Sequence, residues 1–275
     1  MRIKLVNEKI PYTQYPNFRI YNIAYGDSND DDDDENDAIT TSYQAIVDNN
    51  RLVSIVRGHY QPIPHQLVYD TAMSIAKEKN FIKVDRFTAY APKYERFVIT
   101  LLDPKNYFKF NGDRYMLGVT LCNSYDYSMS LMASLYLHRD KHNDGLFMPI
   151  DLDLKVKHFG NVDRLITTFS EGIDQLFNKK DIVVTFLQKM KEMILTPELV
   201  VKLIKLNMPL RVLTQFAIIQ GNKEDEIIVK KGTNMLDVLN EYANQFTNMQ
   251  RMNSAIAYRI QRPIIKSLMK ELGNR

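Results

Sequence analysis

The sequence predicts an α+β fold: an antiparallel β-meander with one preceding helix in the first half, and a helical second half. Three observations carry that expectation. Between Phe81 and Leu137 apolar residues recur at every second position, the period of a half-buried strand. From Val162 to Phe177 the recurrence lengthens to every third or fourth position, as on one face of a helix. A proline-led helical pattern, Pro64–Lys79, precedes the strands.

The elements follow in chain order. Met1–Tyr25 reads as short extended segments interrupted by Pro11 and Pro16. An acidic run, Asp27–Asp37, comes next. Ser42–Val56 holds two short strand-like runs around an Asp48-Asn49-Asn50 turn. Leu67, Val68, Thr71, Ala72, Ile75 and Ala76 repeat at helical spacing, with Pro64 expected as a first-turn proline. Four strands are then expected over Ile82–Ala89, Arg96–Leu102, Tyr115–Leu121 and Met129–Leu137. Pro92, then Pro104 with Asn111-Gly112, then a polar turn at Asn123–Ser128 would separate them. The last two strands form a hairpin within Asp113–Leu146, whose exit, His138 to Asn143, is cationic and rich in histidine.

Beyond it, Val162, Leu165, Ile166, Phe169, Ile173, Leu176 and Phe177 make an apolar stripe capped by Asn161. Thr196-Pro197-Glu198 opens another helix with a cap, a first-turn proline and an acid. Thr233 is the expected cap of a helix carrying Leu236, Leu239, Tyr242 and Phe246, and a last helix over Ser254–Leu272 is expected to break or restart at Pro263. The organisation expected is an extended segment over 1–41, a sheet region over 42–157 and a helical region over 158–275, packed together as one compact domain.

Composition bounds the function. With 45% hydrophobic and 25% charged residues among 275, the chain has the make-up of an ordinary soluble protein. No apolar run approaches the roughly 18–20 residues a membrane helix needs, so no membrane partner is expected. The N-terminus lacks an apolar signal core, and the single Cys122, in an apolar strand, excludes a disulfide framework and a multi-cysteine zinc site. Both point to a reducing compartment, here the cytoplasm of a host cell. Abundant Lys, Asn, Ile and Tyr suggest an AT-rich genome, as in a phage, plasmid or virus.

The net charge of +3 conceals an asymmetry. Asp27–Asp37 carries eight acids and no base; without it the body holds 36 basic against 25 acidic residues, a net of +11. A basic body with a separable acidic run is a pattern of proteins that meet nucleic acid. The run itself reads as a solvated loop or as a phosphate mimic that competes for the basic surface; a metal role is disfavoured because flexible polyaspartate has no preformed geometry.

Common catalytic signatures are missing: no GxxxxGK[ST], no GxGxxG after a strand, no GxSxG and no HExxH. His138-Arg139-Asp140 matches the kinase catalytic loop in three residues only, because Gly145 stands where that loop needs Asn. His138 and His142, four apart with Asp140 between, fit a solvated loop or phosphate contact better than a metal site. Asp151, Asp153 and Lys155 would share one strand face and, with Asp144 as an upstream acid, loosely resemble the PD-(D/E)xK nucleases; a charged edge strand is the plainer reading.

Cations and aromatics interleave along the sheet region: Arg86, Tyr90, Lys93, Tyr94, Arg96, Tyr107, Lys109 and Arg114, with Arg139, Lys141 and His142 at the hairpin exit. Cations neutralise phosphates, and flat aromatic faces stack on splayed bases. The tail Arg251–Arg275, six bases against one acid, is a second contact or an oligomer-facing helix.

The order of these features resembles a phage/plasmid-like protein family of unknown function found on mobile elements. The likeness spans Gln44–Leu272. It rests on IVRGHYQPIPHQLVYDTAMSIA, the turn Asn123-Ser124-Tyr125-Asp126-Tyr127-Ser128, the element from Arg139 through Asn143 to Leu146, and the helix opening at His158. Family members carry His-Asp-Gly where this chain has Tyr125-Asp126-Tyr127, and Cys where it has His142. The family supplies no activity. A helix, an antiparallel meander and a long helix also resemble the core of ring-forming single-strand annealing proteins, which implies a basic groove for extended single strands.

The expectation is therefore a non-enzymatic single-stranded DNA binding or annealing protein of a virus or plasmid, acting in replication or recombination as a homo-oligomer, with no cofactor. Arg86, Lys93, Arg96, Lys109, Arg114, Arg139 and Lys141 would meet phosphates, and Tyr90 and Tyr94 would stack. The alternatives are a metal-dependent nuclease using Asp144, Asp151, Asp153 and Lys155, or a module that binds replication or host defence proteins.

Overall fold

The computed structural model describes residues 2–7, 18–26, 39–48, 51–84, 96–125, 129–142, 144–148, 154–156, 161–221, 223–248 and 254–273. The fold is α+β with antiparallel sheets, as the periodicities predict. Instead of one meander, the described residues of the first half form two sheets. The first has the order β1-β2-β3-β4, from Arg2–Asn7, Phe18–Gly26, Ile39–Asp48 and Arg51–Arg57. Its third strand crosses the expected boundary at residue 41 and pairs with β2 from Tyr25↔Ile39 to Phe18↔Asp48, so the N-terminal segment is part of a sheet rather than an appendage. Strand β3 reaches β2 across residues 27–38, which include the acidic run, and pairing across such a gap leaves no local signal.

Helix α1 spans His65–Lys79. Pro64 sits one position earlier than expected, at the N-cap with ψ 131°, and the helix ends at Asn80, in the left-handed region at φ 58°. The second sheet follows: β5 (Ile82–Val84), β6 (Arg96–Phe110), β7 (Asp113–Ser124) and β8 (Leu131–Arg139) lie in order, and β9 (Asp144–Met148) and β10 (Leu154–Val156) share the outer edge of β8. Pro104 does not end a strand. The ladder between β6 and β7 shifts register between Leu102 and Tyr107, and this irregularity accommodates the missing N–H. The strands then continue to a two-residue turn in which Asn111 (φ 50°) and Gly112 (φ 83°) both take the positive φ of a hairpin turn. The polar turn also begins later than expected, since Asn123 and Ser124 still pair with Phe97 and Arg96.

The helical half comprises α2 (Val162–Phe177), α3 (Lys180–Glu192), α4 (Pro197–Lys205), a single turn α5 (Leu210–Leu213), α6 (Met235–Asn248) and α7 (Ser254–Gly273). Two predicted caps are in place: Asn161 accepts from Arg164 N at 3.1 Å, and Thr196 from Leu199 N at 3.3 Å. At α6 the cap is Asn234 rather than Thr233, its Oδ1 accepting from Asp237 N at 3.0 Å. Helix α7 runs unbroken through Pro263, because Ile264, Ile265 and Leu268 beyond it are buried in the core. A small hairpin, β11 (Ala217–Ile219) with β12 (Ile227–Val229), interrupts the helices.

One apolar cluster joins β6–β9 to α1, α3, α4, α6 and α7. Strand β8 is buried along its whole length, and Gly118 lies so close to Leu101 O that a side chain there would force the strands apart. No described helix is long and apolar enough to cross a membrane.

Candidate nucleic-acid interface

The far end of the β6–β7 ribbon is two-faced. Exposure alternates residue by residue along β6: Lys105, Tyr107 and Lys109 are exposed, while Asn106, Phe108 and Phe110 are half-buried. On the inner face Phe108 stacks on Tyr115 with centroids 5.6 Å apart. Helix α3 seats against this face, with Lys180 Nζ 5.8 Å from the Phe108 ring and Lys191 Nζ 6.0 Å from that of Phe110. Lys180 also donates to Tyr107 O at 3.2 Å. This packing frees the opposite face for solvent.

That outer face is cationic and aromatic. The register pairs Lys109 with Arg114 and Tyr107 with Met116, so Arg114 lies diagonally across from Tyr107. The Arg114 guanidinium sits 4.2 Å from the centre of the Tyr107 ring, and Tyr107 is 47% exposed. Its Nη1 is 3.8 Å from Asp140 Oδ2 across the next strand. Both contacts are exposed and correspondingly weak, each worth about 0–1 kcal/mol. Stacking a base on an aromatic ring is worth about 1–3 kcal/mol, so a base can displace the guanidinium from Tyr107. Lys141 follows Asp140 in a short turn and is exposed.

The other residues singled out in the sequence fall elsewhere. Arg86, Tyr90, Lys93 and Tyr94 lie outside the described residues, as do Asp151 and Asp153. Arg96 begins β6, half-buried; Lys155 lies in the edge strand β10. Arg139 has a structural task instead of a phosphate-binding one. Only 7% exposed, it donates from Nε to Asp144 Oδ1 at 3.0 Å and from Nη2 to Oδ2, reaches Asn240 O at 3.2 Å, and lies 3.7 Å from Asp113. Burial works against its charge, but the hydrogen bond to Asp144 and that carboxylate's charge outweigh it and hold the guanidinium pKa above its ordinary value. Asp144, 1% exposed and engaged through both oxygens, is committed to this pair and is not an accessible upstream acid for a nuclease. The ladder Arg139↔Asp144 explains the pairing: the exit read as a cationic loop turns back as β9.

Tyr115 belongs to the same buried group, its Oη 3.5 Å from Asn240 Oδ1. Burial pushes its phenol up to about 12, against the opposing pull of Arg139. The neutral form is thus favoured in the fold: this contribution is complete below pH 10 and is lost as the pH rises towards 12. Urea unfolding at pH 11 should show stability reduced by on the order of 1 kcal/mol through this group, a loss that Tyr115→Phe removes. An identical alkaline loss in the variant would count against it.

The end of β7, Asn123-Ser124, and the following Tyr125 are also buried. Asn123 Nδ2 donates to Ile63 O at 2.7 Å and lies 3.0 Å from His65 Nδ1, while His65 N donates to Tyr125 Oη at 2.6 Å and the His65 and Tyr125 rings stack at 4.0 Å. Ser124 Oγ bonds both N and O of Met129 at 2.9 Å. This cluster ties the start of α1 to the ribbon's near end and presents nothing to solvent.

The exposed cationic and aromatic face therefore centres on Lys105, Tyr107, Lys109 and Arg114. Lys105 is easily missed in the sequence because Pro104 marks the segment as a break; read through the proline, Lys105-Asn106-Tyr107-Phe108-Lys109 is a period-two strand with a cation–aromatic–cation face. No protein-family model, curated protein or solved structure matches this chain.

Proposed function

We propose that the chain is a non-enzymatic single-stranded nucleic-acid-binding protein of a virus or plasmid, acting in replication or recombination, and that the outer face of the β6–β7 ribbon is its contact surface. One observation carries this reading: Lys105, Tyr107, Lys109 and Arg114 share one exposed face, with the tyrosine ring set among cations. Cations neutralise the backbone without reading sequence, and a ring on an exposed ribbon accepts a base that is already unstacked. The +11 balance outside the acidic run supports the same reading, since it raises the local concentration of a polyanion around the molecule.

The face distinguishes single strands from duplex. A base held inside a duplex cannot reach Tyr107, whereas one in a single strand can. In a fluorescence-anisotropy titration at low salt, a labelled oligothymidylate of about twenty nucleotides should bind roughly tenfold more tightly than a duplex of the same length. No binding to either probe, or equal binding to both, would contradict the proposal.

A further inference from the structure

We propose that Asp140 occupies the phosphate position at Arg114 in the unbound protein, so that a single strand binds by exchange. A backbone phosphate takes Arg114 from Asp140, and the guanidinium's departure from the Tyr107 ring opens that ring to a base. This rests on the reading of the ribbon face as a nucleic-acid contact and adds a gate to it.

The placement of Asp140 is built into the sheet. It directly follows Arg139, which Asp144 and Asn240 hold in place, and it precedes the turn that returns the chain as β9. Tyr115 pairs with Arg139 in the β7–β8 ladder, so the residues flanking that pair, Arg114 and Asp140, meet on the other face. Asp140 thus opens the short 3-10 turn Asp140–His142, directly after the paired end of β8.

Its grip on Arg114 is incomplete. The closest nitrogen and oxygen are 3.8 Å apart, with both side chains nearly half exposed at 44% and 45%, so there is charge attraction without a hydrogen bond. A phosphate free to approach can accept a short, bidentate pair from the same guanidinium. The exchange is thus downhill at that group, and it is coupled to the aromatic face because the same guanidinium lies over Tyr107.

A four-protein cycle on the full chain tests this, comprising the wild type, Asp140→Asn, Arg114→Ala and the double variant, each titrated with labelled oligothymidylate and each checked for an unchanged urea midpoint. Asp140→Asn should tighten binding about threefold and Arg114→Ala should weaken it about fivefold. On the Arg114→Ala background, Asp140→Asn should have almost no effect. Equal tightening in both backgrounds would mean that Asp140 acts only through bulk charge and would overturn the exchange. So would an Asp140→Asn protein that binds like the wild type. A wild type that does not bind the single strand at all removes the nucleic-acid reading and the gate together, whereas binding that depends on Arg114 but not on Asp140 removes the gate alone. Asp140→Ser provides a second route to the same comparison if the asparagine retains a contact with Arg114.

Discussion

Replacing Asp144 by alanine should cost on the order of 3–5 kcal/mol of folding stability, among the largest losses available to a single substitution in this chain. The reason is the partner left behind. Arg139 is 7% exposed and gives two of its donors to Asp144, so truncation strands a charged guanidinium in a site with little water. Asp113, at 3.7 Å, supplies attraction but cannot replace a bidentate acceptor. Urea unfolding followed by circular dichroism reads the loss as a lower midpoint. The paired change Arg139→Met with Asp144→Leu should recover most of it, because an apolar pair of similar volume removes the desolvation cost together with the charges. A loss below about 1 kcal/mol for Asp144→Ala would show that the pair is not closed in solution. Any fall in single-strand affinity in the Arg139 variant should track the loss of folded protein, since this arginine faces the core.

The second large effect is on binding. Exchanging Lys105, Lys109 and Arg114 together for alanine should weaken single-strand binding by roughly a hundredfold at about 0.1 M salt while leaving the urea midpoint unchanged. All three side chains are exposed, and none belongs to the apolar cluster, so their removal takes charge from the face without opening the core. Tyr107→Ala should lose less, about one stacking contact, with the salt dependence preserved.

The helix over Pro64–Lys79, the helix over Val162–Phe177, the caps Asn161 and Thr196 and the Asn111-Gly112 turn are legible in the sequence because each is set by neighbours within a few positions. What escapes is non-local. Strands β1 and β2 make a sheet only through non-local partners, as in Arg2↔Gly26 and Phe18↔Asp48, and β9 carries no alternation because all five of its residues are buried. Arg139 looks like a phosphate contact because cations in a polar exit are usually solvated. Its partner Asp144 is close in sequence, but the turn that brings the two together in the interior is fixed by the β8–β9 ladder. Pro104 misleads in the opposite direction, since a register shift absorbs it and the strand continues outward to form the candidate face.

If cations on the outer face of the β6–β7 ribbon neutralise the backbone of a single strand, their removal must change how binding responds to salt. The slope of log K against log salt is therefore to be compared for the wild type and the Lys105→Ala, Lys109→Ala, Arg114→Ala protein, using the same labelled oligothymidylate. Each phosphate contact on a single strand contributes about 0.7 to that slope, so removing three should make it shallower by about 2. Parallel lines for the two proteins, or a wild type whose binding is indifferent to salt, would contradict the neutralising role of this face.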